Sequence, residues 1–483
     1  MSRKFPIVRR ENLPQPARTP ASSPLQAKLK QGVALHQKGK LADAERIYTE
    51  VLKQQPNNFD AMHLLGVIAL QTQRTQRGVE LISKAIGFNA KRALAHNNLG
   101  NGLRDLNRLE DALASYDKAI ALKPDYAEAY SNRGNALQEL QRPEDALASC
   151  DKAIALKPDD AEANSNQSHC LLRMGRFEQG WRQYEWRKKH KEPIAARSFP
   201  QPLWSGAEDL EGKILFIHWE QGLGDTIQFC RYARLAEARG AKVVLSVQEP
   251  LRRLLTQLSP TVQIIGGAER PARFDYHSPL LSLPLAFATT RETIPAEIPY
   301  LGAEHERVEN WKQRLGGDGF KIGICWQGKK GKMDIGRSFS LREFVNIAAV
   351  PDVRLISLQK NDGTEQLANL PEGMNVETLG ADFDAGPNAF LDTAAVMEHM
   401  DLVITSDTAT AHLAGALGRP TWVALKRVPD WRWLLEGSKS RWYPTMRLFR
   451  QKLPGEWKPV FDDMLKELTG RPELGTHWET RDP

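Results

Sequence analysis

Two aspartates set after apolar runs are the residues of this chain best placed to do chemistry. Asp225 stands in EQGLGDT (Glu220 to Thr226), directly after KILFIHW (Lys213 to Trp219) and before IQFCRYARLAEARG (Ile227 to Gly240), a helical pattern stopped by glycine. A turn built on Gly222 and Gly224 that carries a carboxylate to the end of a first strand suits a general base facing a ligand in the crevice of an open sheet. Asp225 can also cap the helix after the turn, and the two roles are compatible. The loop is not a dinucleotide fingerprint, because Ile227 stands where the third glycine is needed, and no Walker lysine comes after it. Asp407 lies in DLVITSDTATAHLAGALG, where a strand ends and a helix from Thr408 to Leu417 begins. The dipole and free amides of that helix start suit a diphosphate, and Asp407 can bind sugar or ribose hydroxyls. His412 lies one turn further on, as a phosphate contact or a satisfied core residue. The tract Asp382-Phe383-Asp384 imitates a metal-binding D-x-D, but it sits among Gly380, Gly386 and Pro387 with no strand leading in, which argues against a metal there.

The elements that must position these residues are short and apolar. AKVVLSV completes a strand-loop-helix-strand unit with the glycine turn, and KIGICW (Lys321 to Trp326), RLISL (Arg354 to Leu358), DLVITS (Asp401 to Ser406) and TWVAL (Thr421 to Leu425) read as central strands of a second parallel sheet. This pattern implies two Rossmann-like domains, over 213–303 and 304–470, with a cleft between them. A stretch from 193 to 212 containing Pro193, Pro200 and Pro202 reads as a linker, and 471–483 as a tail.

Before the linker the chain repeats itself. LEDALASYDKAIALKPDYAEAY from Leu109 recurs as PEDALASCDKAIALKPDDAEAN from Pro143, a period of 34 that is the signature of the tetratricopeptide repeat. About five repeats fill 25–192 as an all-α solenoid. Gly32, Gly66, Gly100, Gly134 and Ser168 share one position, and Ala44, Gly78, Ala112, Ala146 and Gly180 another; these are where paired helices cross. Asn98, Asn132 and Asn166 share a third position, with Asn101 and Asn135 three residues on. Rows of amides hydrogen-bond an extended backbone without reading its sequence, provided they are exposed; the bland alternative is that they satisfy neighbouring helices. All twelve tryptophans lie at or after Trp181. The closing GWRQYEWRKK (Gly180 to Lys189) carries aromatics at helical spacing that would cover the solenoid's end or dock it on the α/β half.

The net charge of +7 is mostly N-terminal, since residues 1–30 hold seven Lys or Arg against one acid. That concentration removes the main argument for a nucleic-acid partner, and residues 1–24, rich in Pro, are expected to be a disordered tail. No apolar stretch comes after the arginines as in a secretory signal and no 18-residue apolar run is present, so a cytoplasmic protein without a membrane span is expected. Cys150, Cys170, Cys230 and Cys325 lack any C-x-x-C spacing, which argues against a zinc site or a disulfide framework.

Gly222-x-Gly224-Asp225, and Asp407-Thr408 followed by His412-x-Ala414-x-Ala416, resemble the ADP-heptose:lipopolysaccharide heptosyltransferases, metal-independent inverting enzymes of the GT-B fold. With GWxxYEWR, EQGLGDTIQF, PDWRW and WYPTMRLFRQ behind the repeats, the chain is similar to a bacterial group of repeat-containing glycosyltransferases. The amide rows resemble the asparagine ladder of the protein O-GlcNAc transferases. The resemblance implies Asp225 as catalytic base and Asp407 on donor hydroxyls. It also implies a donor site drawing on Gly222, Gly224, the Trp326-Gln327-Gly328 loop, Arg337, Ser338, Thr408 and His412, with Arg337 standing for the family's phosphate lysine. The expected partners are a nucleotide sugar and an acceptor polypeptide held by the repeats, with no metal or other cofactor. The first α/β unit is shorter than a heptosyltransferase's, which counts against a lipid-linked acceptor. Two further readings stand beside this one: a scaffold whose α/β half only binds a nucleotide sugar, and a lipopolysaccharide-type heptosyltransferase whose repeats serve assembly.

Overall fold

The computed structural model describes residues 24–189, 197–331, 334 and 336–470. The N-terminal tail expected at 1–24 lies outside these except for Pro24, as do the C-terminal tail and residues 190–196. The chain divides into two compact units, Met1–Cys170 and Leu171–Pro483.

The first unit is helical throughout its described length. α1 (Pro24–Gln37), α2 (Leu41–Gln54), α3 (Phe59–Gln71), α4 (Thr75–Phe88), α5 (Ala93–Asp105), α6 (Leu109–Leu122), α7 (Ala127–Glu139) and α8 (Pro143–Leu156) alternate as first and second helices of successive repeats, and α9 (Ala161–Arg173) begins the fifth. The crossing positions explain themselves sterically. A Cβ at Gly32, Gly66 or Gly100 would come within 2.5–2.6 Å of Tyr48, Ile82 or Tyr116, and one at Gly134 within 2.9 Å of Cys150. Those partners are fully buried, so the large residue of the second helix fills the place where the first helix has no side chain.

The first helices are joined to one another by polar pairs 35 residues apart. His36 bonds Gln71 (2.8 Å), Asn98 donates to His63 (3.0 Å), Asn132 to Asn97 (3.0 Å), and Asn166 to the Ser131 hydroxyl (3.1 Å). Polar side chains of neighbouring first helices thus satisfy one another across the stack. This pattern bears on the two expected amide rows, whose use as a peptide groove requires exposure. Asn101, Asn132 and Asn166 are buried, Asn101 accepting from the Tyr116 hydroxyl at 2.8 Å; Asn98 and Asn135 keep partial exposure.

The second unit holds two parallel sheets. β1 (Ile214–His218), β2 (Lys242–Val247), β3 (Gln263–Gly266) and β4 (Tyr276–Pro279) run in the order β3-β2-β1-β4, and β5 (Phe320–Cys325), β6 (Val353–Ser357), β7 (Leu402–Ser406), β8 (Thr421–Leu425) and β9 (Met446–Arg450) in the order β6-β5-β7-β8-β9. Each is a doubly wound arrangement, and the order reverses beside β1 in the first sheet and beside β5 in the second. The ligand crevice of such sheets opens there, beyond the strand ends, which is where the glycine loop and the Asp407 segment stand.

Residues 199–210 are not a free linker. Trp204 is 1% exposed and its amide donates to His277 O at 2.9 Å, while Phe199 packs on Phe216 and His277, so this stretch pairs with β4 and closes the first sheet. The aromatic side chains decide against the prolines. All four cysteines are free and buried, and no helix among the described residues is long and apolar enough to cross a membrane.

Candidate active site

The glycine turn is already the first turn of a helix. α11 (Leu223–Phe229) starts one residue after Gly222, and α12 (Arg231–Glu237) continues it, so Asp225 occupies the third helical position. Its Oδ2 accepts the Gly222 amide at 2.8 Å, the reciprocal half of a capping box. Its Oδ1 accepts from the Arg432 guanidinium. The side chain is 19% exposed. Burial pushes its carboxyl above the usual carboxylate range, against the pull of Arg432 and the Gly222 amide. Asp225 is therefore both a cap and a carboxylate of raised basicity.

The second sheet meets this turn through the helix Ala409–Ala416. A Cβ on Gly224 would lie 3.0 Å from the His412 ring and 3.3 Å from Ala409 Cα, so only glycine lets the two helices approach this closely. This contact brings together the two motifs that stand some 180 residues apart in the chain. Thr408 is the residue before the helix, and its side chain makes no capping bond to the first turn. Asp407 stands between Ser406, the last residue of β7, and Thr408. It is 8% exposed, with its carboxyl raised by burial and by Asp430 and lowered by Arg337.

Around the helix start the charges converge. Gly328, in the loop after β5, faces Asp334, Arg337 and Thr408: a Cβ there would be 3.0 Å from the Asp334 carboxylate and 3.4 Å from each of the others. Arg337 Nε is buried without a hydrogen-bond partner. Lys426, at the end of β8, has its ammonium pKa lowered by burial and by Arg173, with Asp407 opposing. Arg337 and Lys426 thus lie with Asp334, Asp407 and Asp430 around the segment that begins this helix, and two cations beside a helix N-terminus suit an anion with several oxygens.

Three expected donor contacts have other partners in the structure. Trp326 is fully buried in the second sheet's core and its indole donates to Gly363 O at 3.2 Å, so its ring is withdrawn from any ligand. Ser338 ties the loop to itself, accepting the Gly328 amide at 3.0 Å and donating to Asp334. His412 is also interior. Its Nδ1 lies 3.0 Å from the Tyr443 hydroxyl and its ring stacks on Trp433 with centroids 5.5 Å apart. Asp382 pairs with Arg314, and Asp384 accepts from the Asp392 amide and the Thr393 hydroxyl at the start of the helix Leu391–Met397, which accounts for both acids of the D-x-D tract.

Burial lowers the His412 imidazole to about 3. Its pKa is below the ordinary value of about 6.5, so the unfolded chain binds the proton first as pH falls. Stability present at neutral pH is lost below 6.5, and the loss ends only near pH 3. Unfolding free energy is expected to fall by about 2 kcal/mol from this histidine between pH 7 and pH 5, read as a lower melting temperature. His412→Gln should flatten that part of the slope, and an unchanged slope would remove His412 as its source.

The sequence reading missed Arg432, Asp430 and Lys426. The signal for them was the run KRVPDWRW (Lys426 to Trp433) directly after a central strand, where crevice residues of a parallel sheet belong. It also treated the last repeat as solenoid. α10 (Phe177–Tyr184) packs within the second unit: Trp181 donates to Thr289 O at 2.9 Å and lies edge-on to Trp431 at 5.1 Å, and Arg187 holds Glu220 of the glycine loop at 2.8 Å.

Comparison with known proteins agrees with both halves. Residues 29–93 and 127–160 match the tetratricopeptide repeat, 100–141 match the TPR repeat, and 345–425 match glycosyltransferase family 9 (heptosyltransferase). Protein FlbA of Caulobacter vibrioides is 32% identical over 318 residues, 60% of this chain and 52% of that protein. The UDP-N-acetylglucosamine--peptide N-acetylglucosaminyltransferase of Caenorhabditis elegans is 33% identical over 76 residues, 16% of this chain and 7% of that enzyme. The chain spans about half the length of the first of these relatives and far less of the second. Among solved structures, MamA aligns over 33% of this chain and 94% of its own with 24% identity and a TM-score of 0.31.

Proposed function

We propose that this chain, which joins tetratricopeptide repeats to a glycosyltransferase family 9 segment, moves a sugar from a nucleoside diphosphate to a hydroxyl with inversion. The observation that carries the reading is the packing of Gly224 against Ala409 and His412, which sets Asp225 beside the helix start after Asp407. Asp225 takes the acceptor proton as the hydroxyl attacks the anomeric carbon. The bond to the diphosphate breaks on the opposite face, and the amides of the Thr408 helix start, with Arg337 and Lys426, receive the departing charge. Dipole and cations together can carry that charge without a metal. Asp407 is assigned to donor hydroxyls.

The acceptor is proposed to be a polypeptide held by the solenoid, with Asn98 and Asn135 as the amides that retain exposure. The 76-residue likeness to a peptide N-acetylglucosaminyltransferase of Caenorhabditis elegans supports this acceptor class. The test is a thermal-shift series of the full chain against nucleoside diphosphates and their sugars, with and without EDTA. Selective stabilisation that survives EDTA, and that falls at least about tenfold in affinity in Arg337→Ala, is the expected result; a charge-assisted contact of about 1.5–3 kcal/mol is at stake. No shift with any nucleotide sugar would overturn the reading.

A further inference from the structure

The candidate base is not held by its own sheet alone. Asp225 lies on α11 after β1, whereas Arg432 lies in the turn Trp431–Trp433 after β8. Each nitrogen of the guanidinium has its own partner. One terminal nitrogen donates to Asp225 Oδ1, the other to Asp430 Oδ1 at 2.8 Å, and Nε to Gln228 Oε1. Two of the three partners are therefore on α11. The guanidinium also lies over the Trp431 ring at 4.4 Å and the Phe229 ring at 5.5 Å, and the residue is 7% exposed. Asp430 fixes the turn itself, since its carboxylate accepts the Arg432 backbone amide at 3.1 Å. A planar fork held at every nitrogen has one orientation available.

We infer that Arg432 is a positioning residue for Asp225, reaching from the second sheet to fix the plane of a carboxylate on the first, so that the base is aligned only when the two are joined. This rests on the reading of Asp225 as base. Gly222 and Arg432 take one lone pair from each carboxylate oxygen, and the remaining pairs are available to an acceptor proton. The charged and titratable groups facing Asp225 are Arg432 and Asp430 from the turn, Glu220 from the glycine loop and Tyr184 from α10, with His412 on the helix against Gly224. Asp430, Glu220 and burial favour the protonated acid; Arg432 and the Gly222 amide favour the carboxylate. Glu220 is itself paired with Arg187. Removing the Arg432 charge therefore makes Asp225 harder to ionise.

The test uses the full chain with Arg432→Gln, Arg432→Lys, Asp225→Asn and the double variants. In the Arg432→Gln variant the acid limb of kcat/KM for sugar transfer is expected to move up by about one pH unit, with partial return in Arg432→Lys and a donor KM within about twofold of the parent. An unmoved acid limb overturns the inference, even with reduced kcat, because a merely structural pair would behave so. Should no nucleotide sugar support transfer, the proposed function fails and the unfolding equilibrium decides the pair alone. Coupling of about tenfold between Asp225→Asn and Arg432→Gln sustains the clamp, and additive losses overturn it. If Arg432→Gln does not fold, Arg432→Lys takes its place in the cycle.

Discussion

Asp225→Asn is expected to lower kcat for sugar transfer by about 10²–10⁴-fold, with donor affinity changed by less than about twofold. The substitution keeps the shape of the side chain and one oxygen to accept from Arg432 or from the Gly222 amide, but the amide group cannot take up a proton. Donor affinity should hold because the groups assigned to the diphosphate, Arg337, Lys426 and the helix after Thr408, belong to the second sheet. The capping role gives a different result. Loss of a cap costs about 1 kcal/mol of stability and leaves turnover in the surviving folded protein. Steady-state kinetics beside a nucleotide-binding isotherm separates the two, and a variant with full turnover would reduce Asp225 to a cap. Because burial raises the Asp225 carboxyl, the parent protein should lose activity at a pH above the usual carboxylate range as pH falls.

The strands and repeats were legible because their signals are local. A 34-residue period fixes helix pairs wherever small and large residues recur, and the strands through Ile214, Val243, Ile322, Leu355, Val403 and Val423 are runs of apolar residues that only a sheet buried on both faces uses. The strands that escaped notice are the exceptions to that rule. β3 and β4 are four residues each, and β4 reads YHSP, with a buried serine and a histidine on which Phe199 of the preceding stretch packs. β9, MRLFR, has arginine at two of its five positions, as suits a strand at the edge of its sheet.

The candidate site divides in the same way. Asp225 and Asp407 were found because glycine and helix-start signals flank them in sequence. Arg432 was not, since the run after β8 marks crevice residues only as a group, and its own meaning depends on α11, some 200 residues earlier. Trp326 erred in the opposite direction: a residue just beyond a strand end reads as crevice-facing, but its side chain turns back into the core with Phe339 and Ile324. The asparagines show how composition underdetermines exposure. Each has donor and acceptor groups that serve a ligand or a neighbouring helix equally well, and the first helices of the repeats are close enough that Asn132 donates to Asn97 and Asn166 to Ser131.

Trp181→Ala is expected to destabilise the α/β unit by about 3–5 kcal/mol while leaving the solenoid as stable as before. The indole is 2% exposed, donates to Thr289 O and lies against Phe177, Tyr184 and Trp431. Removing it opens a cavity among rings that also bear on the Asp430 turn and, through Arg432, on Asp225. A sequence boundary at 192 assigns this helix to the repeats and makes the opposite forecast, that the solenoid weakens. Hydrogen exchange resolved along the chain distinguishes them. Protection should fall across 171–470, including β1, β8 and the glycine-loop helix, and hold in α2 through α8. Ile82→Ala, which empties the contact made with Gly66, is the matching control and should lower protection in the first unit alone. If Trp181→Ala instead loosens α7 and α8 and spares β1, the last repeat belongs to the solenoid. The buttress behind Trp431 must then be sought elsewhere.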